Sequence, residues 1–330
     1  MPRRLIATAF LTAALLAVTS AAASAATNPW RQSHPWNIAH QGGENEFPGN
    51  TMYAFKQALK AGSDMLELDI GVTKDNKVVI QHNTTVDART SGAGEVRSFT
   101  LKQIQKLDNA YWFSPGTDHY SRTKPASAYR FRGIATGKRK PPKGYTAADF
   151  RVASLSQVLK AFPKTPINLE IKARTTTEAI DEYLTNSRVL AGELKAVKRR
   201  DIIVVSFKQP AVDLFHTLAP KIPVAPGVDG MVSFLLLGGS PGAGVVALQP
   251  PITYMFGGSR LEVSTKEYIA KAHAAGYAWQ NWFDDADPDT AVSWAKMVER
   301  CADGIMSSSP RLLEKFLVKA KSPAECRKRP

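Results

Sequence analysis

The sequence predicts an α/β chain folded as one (β/α)8 barrel with an insertion after the third strand. Short apolar runs alternate with amphipathic stretches almost to the C-terminus. Histidines and carboxylates end several of those runs, where barrel enzymes keep their chemistry. A length of 330 residues fits either one large barrel or two ordinary domains, and an alternation that resumes after a single insertion favours the barrel.

Residues 1–26 stand apart. Arg3 and Arg4 precede an apolar stretch over 5–18, and small residues over 21–26 follow it. That pattern predicts a secretory signal peptide cut after Ala25 or Ala26, with residues 27–330 forming the exported domain. The alternative, a membrane anchor, fits less well because the apolar core is short.

The first strand is expected over 36–40 and the first helix over 51–61, followed by strands over 65–71 and 78–82 and a helix over 101–107. After a break come a helix over 155–162, a strand over 167–171, a helix over 177–197, a strand over 202–207 and a helix over 210–218. Strands over 223–228, 245–249, 277–282 and 303–306, with helices over 265–275 and 289–300, complete the series. Nine strands exceed a barrel's eight, and the surplus is expected at 223–228 or 245–249.

The break, about 108–150, is rich in Gly, Pro, Tyr and basic residues and has no clear period. Such an insertion is expected over the mouth of a barrel. Arg122, Lys124, Arg130, Arg132, Lys138, Arg139, Lys140 and Lys143 fall within it with no acid between Ser121 and Gly144. Two readings stand, a solvated loop or a surface that meets substrate.

A composition of 44% hydrophobic and 22% charged residues excludes a disordered or collagen-like chain. Without the leader, 41 basic residues face 29 acidic ones, a net of +12, so anionic neighbours are expected: lipid headgroups, cell-wall phosphates or phosphorylated substrates. Peripheral contact with an anionic membrane or cell wall is expected, and a monomeric state. The basic run matches no DNA- or RNA-binding motif, which argues against nucleic acid. The two cysteines, Cys301 and Cys326, are expected to form a disulfide in an oxidising compartment, tying down the C-terminal tail and stabilising it by about 3 kcal/mol.

In Met65-Leu66-Glu67-Leu68-Asp69-Ile70, two carboxylates occupy alternate strand positions, so period two puts Glu67 and Asp69 on one face. Inward-facing carboxylates in a barrel need a cation or strong donors. Glu170 ends a second strand and shares its face with Lys172. Three carboxylates with no Cys or His spacing nearby suit a hard, oxygen-liganded ion, Ca²⁺ or Mg²⁺; structural ion pairs with Lys172 are the alternative. His40 and His82 end two strands and suit paired acid and base work on a phosphoester. His34, His119, His216 and His273 fall in linkers or helices and read as structural or surface residues.

His40-Gln41-Gly42, Gly49-Asn50-Thr51, Glu67-Leu68-Asp69, Thr73-Lys74-Asp75, His82-Asn83, Leu169-Glu170-Ile171-Lys172, Val205-Ser206-Phe207 and Asp303-Gly304-Ile305 occur in an order and spacing that resembles the glycerophosphodiester phosphodiesterase family. The resemblance runs from about Trp36 to Leu317. It implies a TIM-type barrel of the phospholipase-C-like phosphodiesterase group that hydrolyses glycerophosphodiesters to glycerol phosphate and an alcohol. It assigns one divalent cation to Glu67, Asp69 and Glu170, and the acid/base work to His40 and His82. It also implies that Lys172 contacts the phosphate and that Trp279 and Asn281 line the site.

The chain departs from the family pattern where Gln41, Gly49, Asn83 and Ala88 stand in place of Arg, Glu, Asp and Arg. Gln41 can hydrogen-bond a phosphate oxygen but lacks the charge and fork of Arg. Arg89, next to Ala88, is the nearest replacement cation in the sequence. The Gly42-Gly43 pair and the run from Thr51-Met52 to Asp64-Met65-Leu66-Glu67 resemble the branch that acts on lysophospholipids. A lysophospholipase D on the same scaffold is therefore the second reading, with the apolar segment 232–237 as one place for an acyl chain or as ordinary core. A catalytically reduced barrel that binds anionic cell-envelope polymers is the third.

Overall fold

The structure, a computed structural model, describes residues 28–327; the expected leader over 1–26 lies outside the described residues. The strands in chain order are β1 (Trp36–Ala39), β2 (Met65–Val72), β3 (Val78–Ile80), β4 (Ile167–Ile171), β5 (Ile202–Val205), β6 (Ala247–Leu248), β7 (Thr253–Phe256), β8 (Ser259–Glu262), β9 (Ala278–Asn281) and β10 (Gly304–Ser307). The helices are α1 (Met52–Lys60), α2 (Leu101–Ile104), α3 (Leu155–Ala161), α4 (Ile180–Leu194), α5 (Gln209–Leu218), α6 (Val228–Leu236), α7 (Lys266–Ala274), α8 (Ala291–Glu299), α9 (Pro310–Leu317) and α10 (Ala324–Arg327).

Parallel pairing runs β5-β4-β2-β1-β10-β9-β6. Parallel bridges from Val204 to Val224 and from Val224 to Val245 complete the circuit back to β5. The ring therefore has eight positions, and both 223–228 and 245–249 contribute to it. The surplus strand is β3, which pairs antiparallel with β2 through Ile70 and Ile80, Gly71 and Val79, and Val72 and Val78. Only residues 73–77 separate the two strands, too few for the dozen or so that a parallel crossover needs. Thr73 N–H bonds the Lys77 carbonyl at 3.0 Å and Asn76 takes φ 52°, which makes the segment a hairpin turn. The insertion thus follows the third strand of the chain but lies in the connection between the second and third strands of the ring.

Every residue of β2 is buried. Leu66, Leu68 and Ile70 share one apolar cluster with Phe55 of α1, Val158 of α3 and Leu190 of α4. Full burial of each such side chain contributes roughly 1.5–3 kcal/mol, which fixes the pleat and turns Glu67 and Asp69 the other way. Thr51 Oγ1 accepts from Ala54 N–H at 3.1 Å and caps α1, directly after the loop that carries the first histidine.

Residues 108–150 pack onto this frame through aromatic side chains. Tyr53 of α1 meets Phe150 and Tyr145, each at 4.7 Å between centroids, and Phe131 at 5.1 Å. The Arg132 guanidinium lies 4.0 to 4.5 Å from the ring centres of Tyr111, Trp112 and Tyr129, and that of Arg122 lies 4.6 Å from Trp112, so two of the eight basic residues of this run are spent on cation–π packing. At the other end of the chain, the Cys301–Cys326 disulfide ties the loop after α8 to α10.

Several elements, α10 among them, escape the sequence reading. Helix α6 is apolar on most sides and shows no polar stripe. The β7–β8 hairpin turns at Gly257-Gly258, both with positive φ, a signal that two adjacent glycines do supply. Helix α9 begins at Pro310.

Candidate active site

The site lies at the C-terminal ends of the ring strands. β1 leads into His40, and the next three residues, Gln41, Gly42 and Gly43, take φ 52°, 78° and 94°. A Cβ on Gly42 would lie 2.7 Å from the Phe55 ring, and one on Gly43 would lie 2.6 Å from Pro310. The two glycines therefore let this loop fold tightly over α1 and α9. The turn aims Gln41 N–H at Glu67 Oε2, 2.8 Å away.

Asp69 stands opposite Glu170 in the β2–β4 register. One carboxylate oxygen from each of Glu67, Asp69 and Glu170 falls within 4.8 Å of the others, and these are the only such group among the described residues. Lys172 Nζ lies 2.8 Å from Glu170 Oε1 and 3.2 Å from Asp69 Oδ1. Asn50 Nδ2 donates to Asp69 Oδ2 at 2.8 Å, so the buried Asp69 has an amide on one oxygen and the Lys172 ammonium on the other.

The electrostatics follow from crowding. Burial raises the Glu67 pKa and the Asp69 charge adds to this, so it reaches about 8 despite His40. Burial also works against a charged Asp69, but Lys172, His82 and His40 outweigh it and hold its pKa below the usual range. Lys172 is raised, because Glu170 and Asp69 overcome its desolvation. Three hard oxygen donors within 4.8 Å of one another, one of them a carboxylate pushed toward protonation by its neighbours, fit a hard divalent cation.

His40 contacts this cluster and His82 lines the same cavity as Glu67 and Glu170. His40 Nε2 lies 3.9 Å from Glu67 Oε2, and its Nδ1 lies 3.0 Å from Ser308 Oγ and 3.2 Å from Glu44 Oε1. Burial opposes its charge, but Glu44, Glu67 and Asp69 raise its pKa to about 10. His82 Nδ1 is 2.8 Å from Asn83 Oδ1, and burial lowers its pKa against the pull of Asp69. The two rings thus sit in environments that push their protonation in opposite directions.

His40, Glu67, His82, Glu170 and Lys172 line part of a cavity of about 270 Å³. Its remaining wall is largely apolar, with Val228, Met231, Val232, Leu235 and Leu236 from α6, Tyr254, Phe256 and Leu261 from the β7–β8 hairpin, and Phe207 and Trp282. The segment 232–237 therefore contributes to the wall rather than only to the core.

Three residues expected at the site are elsewhere. Trp279 is fully buried in the cluster of Leu248, Ile269 and Trp294 outside the ring. Asn281 Nδ2 donates to Ser264 Oγ at 2.6 Å and to the Pro250 carbonyl at 3.1 Å. The expectation is one residue out of phase, since the neighbours point inward: Gln280 Oε1 accepts from Gln249 Nε2 at 2.8 Å, and Trp282 lines the cavity. The Gln41 side chain is buried away from the cavity, accepting from Asn50 Nδ2 at 3.2 Å, and only its backbone serves the site.

Glu44 and His119 had no motif to announce them, and Arg89 entered the sequence reading only as a replacement cation beside Ala88. Glu44 is buried beside His40, Arg89 Nη2 reaches Glu44 Oε2 at 3.1 Å, and His119 Nε2 reaches the same oxygen at 3.3 Å. His119, expected to be structural or superficial, comes to the catalytic mouth from the insertion. His40 and Glu44 are four residues apart, but positions 89 and 119 are distant in the chain, and the fold brings them to this pair.

Comparison with known proteins agrees with the geometry. The model of the "Glycerophosphoryl diester phosphodiesterase family" matches residues 40–312. The chain is 32% identical over 189 residues to the YhdW protein of Bacillus subtilis, covering 57% of this chain and 63% of that protein. It is 28% identical over 210 residues to a glycerophosphodiester phosphodiesterase of the same organism, covering 62% and 64%. The match thus spans slightly less than two thirds of each relative. Among solved structures, the glycerophosphoryl diester phosphodiesterase domain of a Mycobacterium tuberculosis protein superposes with a TM-score of 0.62 at 17% identity, over 86% of this chain and 99% of that one. An Oleispira antarctica phosphodiesterase in complex with its product sn-glycerol-3-phosphate gives 0.61 at 16%, over 87% and 98%. At these identities the likeness establishes the TIM-type barrel.

Proposed function

This chain belongs to the glycerophosphoryl diester phosphodiesterase family, and we propose that it hydrolyses glycerophosphodiesters to glycerol phosphate and an alcohol. The observation that carries the proposal is the clustering of three carboxylates, two of which, Glu67 and Glu170, line a single cavity together with Lys172, His40 and His82. Glu67, Asp69 and Glu170 would hold one Ca²⁺ or Mg²⁺. When bound, that ion supplies positive charge against the phosphate and its attacking oxygen.

The chain's own residues do the rest. Lys172, held between Asp69 and Glu170, offers its ammonium to a phosphate oxygen. His40 and His82 divide the proton work: one takes the proton of the attacking hydroxyl, from water or from the substrate's own glycerol, and the other protonates the leaving oxygen. Gln41 N–H and Asn50 fix Glu67 and Asp69 in place. The protein would act as an exported enzyme, with the basic insertion attracting anionic substrates or surfaces.

The apolar wall from α6 and the β7–β8 hairpin favours a second reading on the same site, a lysophospholipase D whose substrate carries one acyl chain. A headgroup-release assay on glycerophosphocholine and lysophosphatidylcholine, with and without chelator, tests both. Release from glycerophosphocholine supports the first reading, and release confined to the lipid supports the second. Inactivity on both with added metal contradicts an enzymatic role.

A further inference from the structure

Glu44 is 6% exposed and touches three side chains, and none of the family motifs contains it. A buried carboxylate needs partners for both oxygens. Oε1 faces His40 Nδ1, and Oε2 is shared by Arg89 Nη2 and His119 Nε2. A carboxylate of this kind only accepts, so the nitrogen that faces it carries the hydrogen. The other ring nitrogen of His40, Nε2, is then the one on the Glu67 side.

The surroundings leave Glu44 little freedom. A Cβ built on Gly49 would lie 2.9 Å from Glu44 Cβ and 3.2 Å from Arg89 Nη1. Glu44 and Arg89 therefore fill the space that a side chain at position 49 would take. The insertion closes the outer side. The Tyr120 ring lies 4.3 Å from the Arg89 guanidinium, and His119 Nδ1 lies 3.1 Å from Asn45 Oδ1. Asn45 is tied to the insertion again where its carbonyl accepts from Gly116 N–H at 2.8 Å.

We infer that Glu44 is a positioning residue for His40, fixing its ring through Nδ1, and that the insertion acts on the site by holding Glu44 through His119. Ser308 Oγ, 3.0 Å from the same nitrogen, is a neutral partner and gives a weaker hold than a carboxylate. An orienting group behind an acid or base changes turnover more than substrate affinity. The inference rests on the phosphodiesterase reading for the role of His40, but not for the geometry of its ring.

The test uses full-length Glu44→Gln, His119→Ala and His119→Gln. Glu44→Gln is expected to lower kcat on glycerophosphocholine by about 10- to 100-fold, with KM and bound divalent metal within about threefold of wild type. His119→Ala should show a smaller loss, and His119→Gln, whose amide can still donate to Glu44, should recover most of it. Proton NMR gives a readout independent of turnover: a slowly exchanging downfield imidazole N–H in wild type, assigned by its absence in His40→Gln, should move or vanish in Glu44→Gln. A Glu44→Gln protein that keeps both kcat and this resonance overturns the inference, as does one whose only defect is lost metal. If Glu44→Gln does not fold, equal kcat in His119→Ala, His119→Gln and wild type overturns it instead. Wild-type protein inactive on the diester would count against the phosphodiesterase reading, while the resonance would still decide the inference.

Discussion

Asp69 and Glu170 are direct partners in the parallel register of β2 and β4, and Lys172 Nζ bridges them at 3.2 and 2.8 Å. Glu67, two residues before Asp69, joins them on the inner face. This arrangement predicts that Glu67→Ala, Asp69→Ala and Glu170→Ala each lose bound Ca²⁺ or Mg²⁺, measured by elemental analysis after equilibrium dialysis. Undiminished metal in Glu67→Ala would remove that residue from the ligand set.

His40→Ala and His82→Ala should retain the fold and the metal while kcat falls by about 10²- to 10⁴-fold. Circular dichroism and metal content serve as controls beside steady-state kinetics. Near-normal turnover in both variants would refute the pairing.

The pKa of Glu44 lies well below the usual carboxylate range: burial opposes its charge, but His119, His40 and Arg89 outweigh it. A depressed carboxyl stabilises the fold above its unfolded pKa and loses that contribution as pH falls through the folded value. The stability gap between wild type and Glu44→Gln, from urea unfolding, should therefore be full near neutrality and shrink below about pH 4.5. A gap that widens in acid would contradict the ion-pair account of Glu44.

Neutralising Lys138, Arg139 and Lys140 together should raise KM or weaken binding to anionic vesicles, with a defect that shrinks in high salt. A fall in kcat at constant KM would instead place the segment in the transition state.

The apolar wall predicts a selectivity change. Phe256→Ser or Leu235→Ser should reduce headgroup release from lysophosphatidylcholine more than from glycerophosphocholine, since only the lipid has a chain to bury. Equal losses on both substrates would argue that the wall supports the fold alone.

The strand-end residues His40, His82, Glu67, Asp69, Glu170 and Lys172 were legible because strand period and local motifs are read within a few residues. Trp279 and Asn281 were placed at the site by the resemblance alone; on β9 they face away from it, and Gln280 and Trp282 take the inward positions. The surplus strand was sought among 223–228 and 245–249, although the five-residue link from Val72 to Val78 already required a hairpin. Glu44 and His119 were hidden for another reason. Their association depends on a tight glycine loop meeting a distant insertion, and no spacing along the chain encodes that meeting.

The most direct test of the central claim, that the carboxylate cluster holds a divalent ion needed for diester hydrolysis, is turnover of glycerophosphocholine by chelator-stripped protein as Ca²⁺ or Mg²⁺ is added back. The account predicts negligible turnover in chelator, saturable recovery with one of the two ions in wild type, and no comparable recovery in Asp69→Asn. Full turnover by the stripped wild-type protein, or normal recovery in Asp69→Asn, would contradict it.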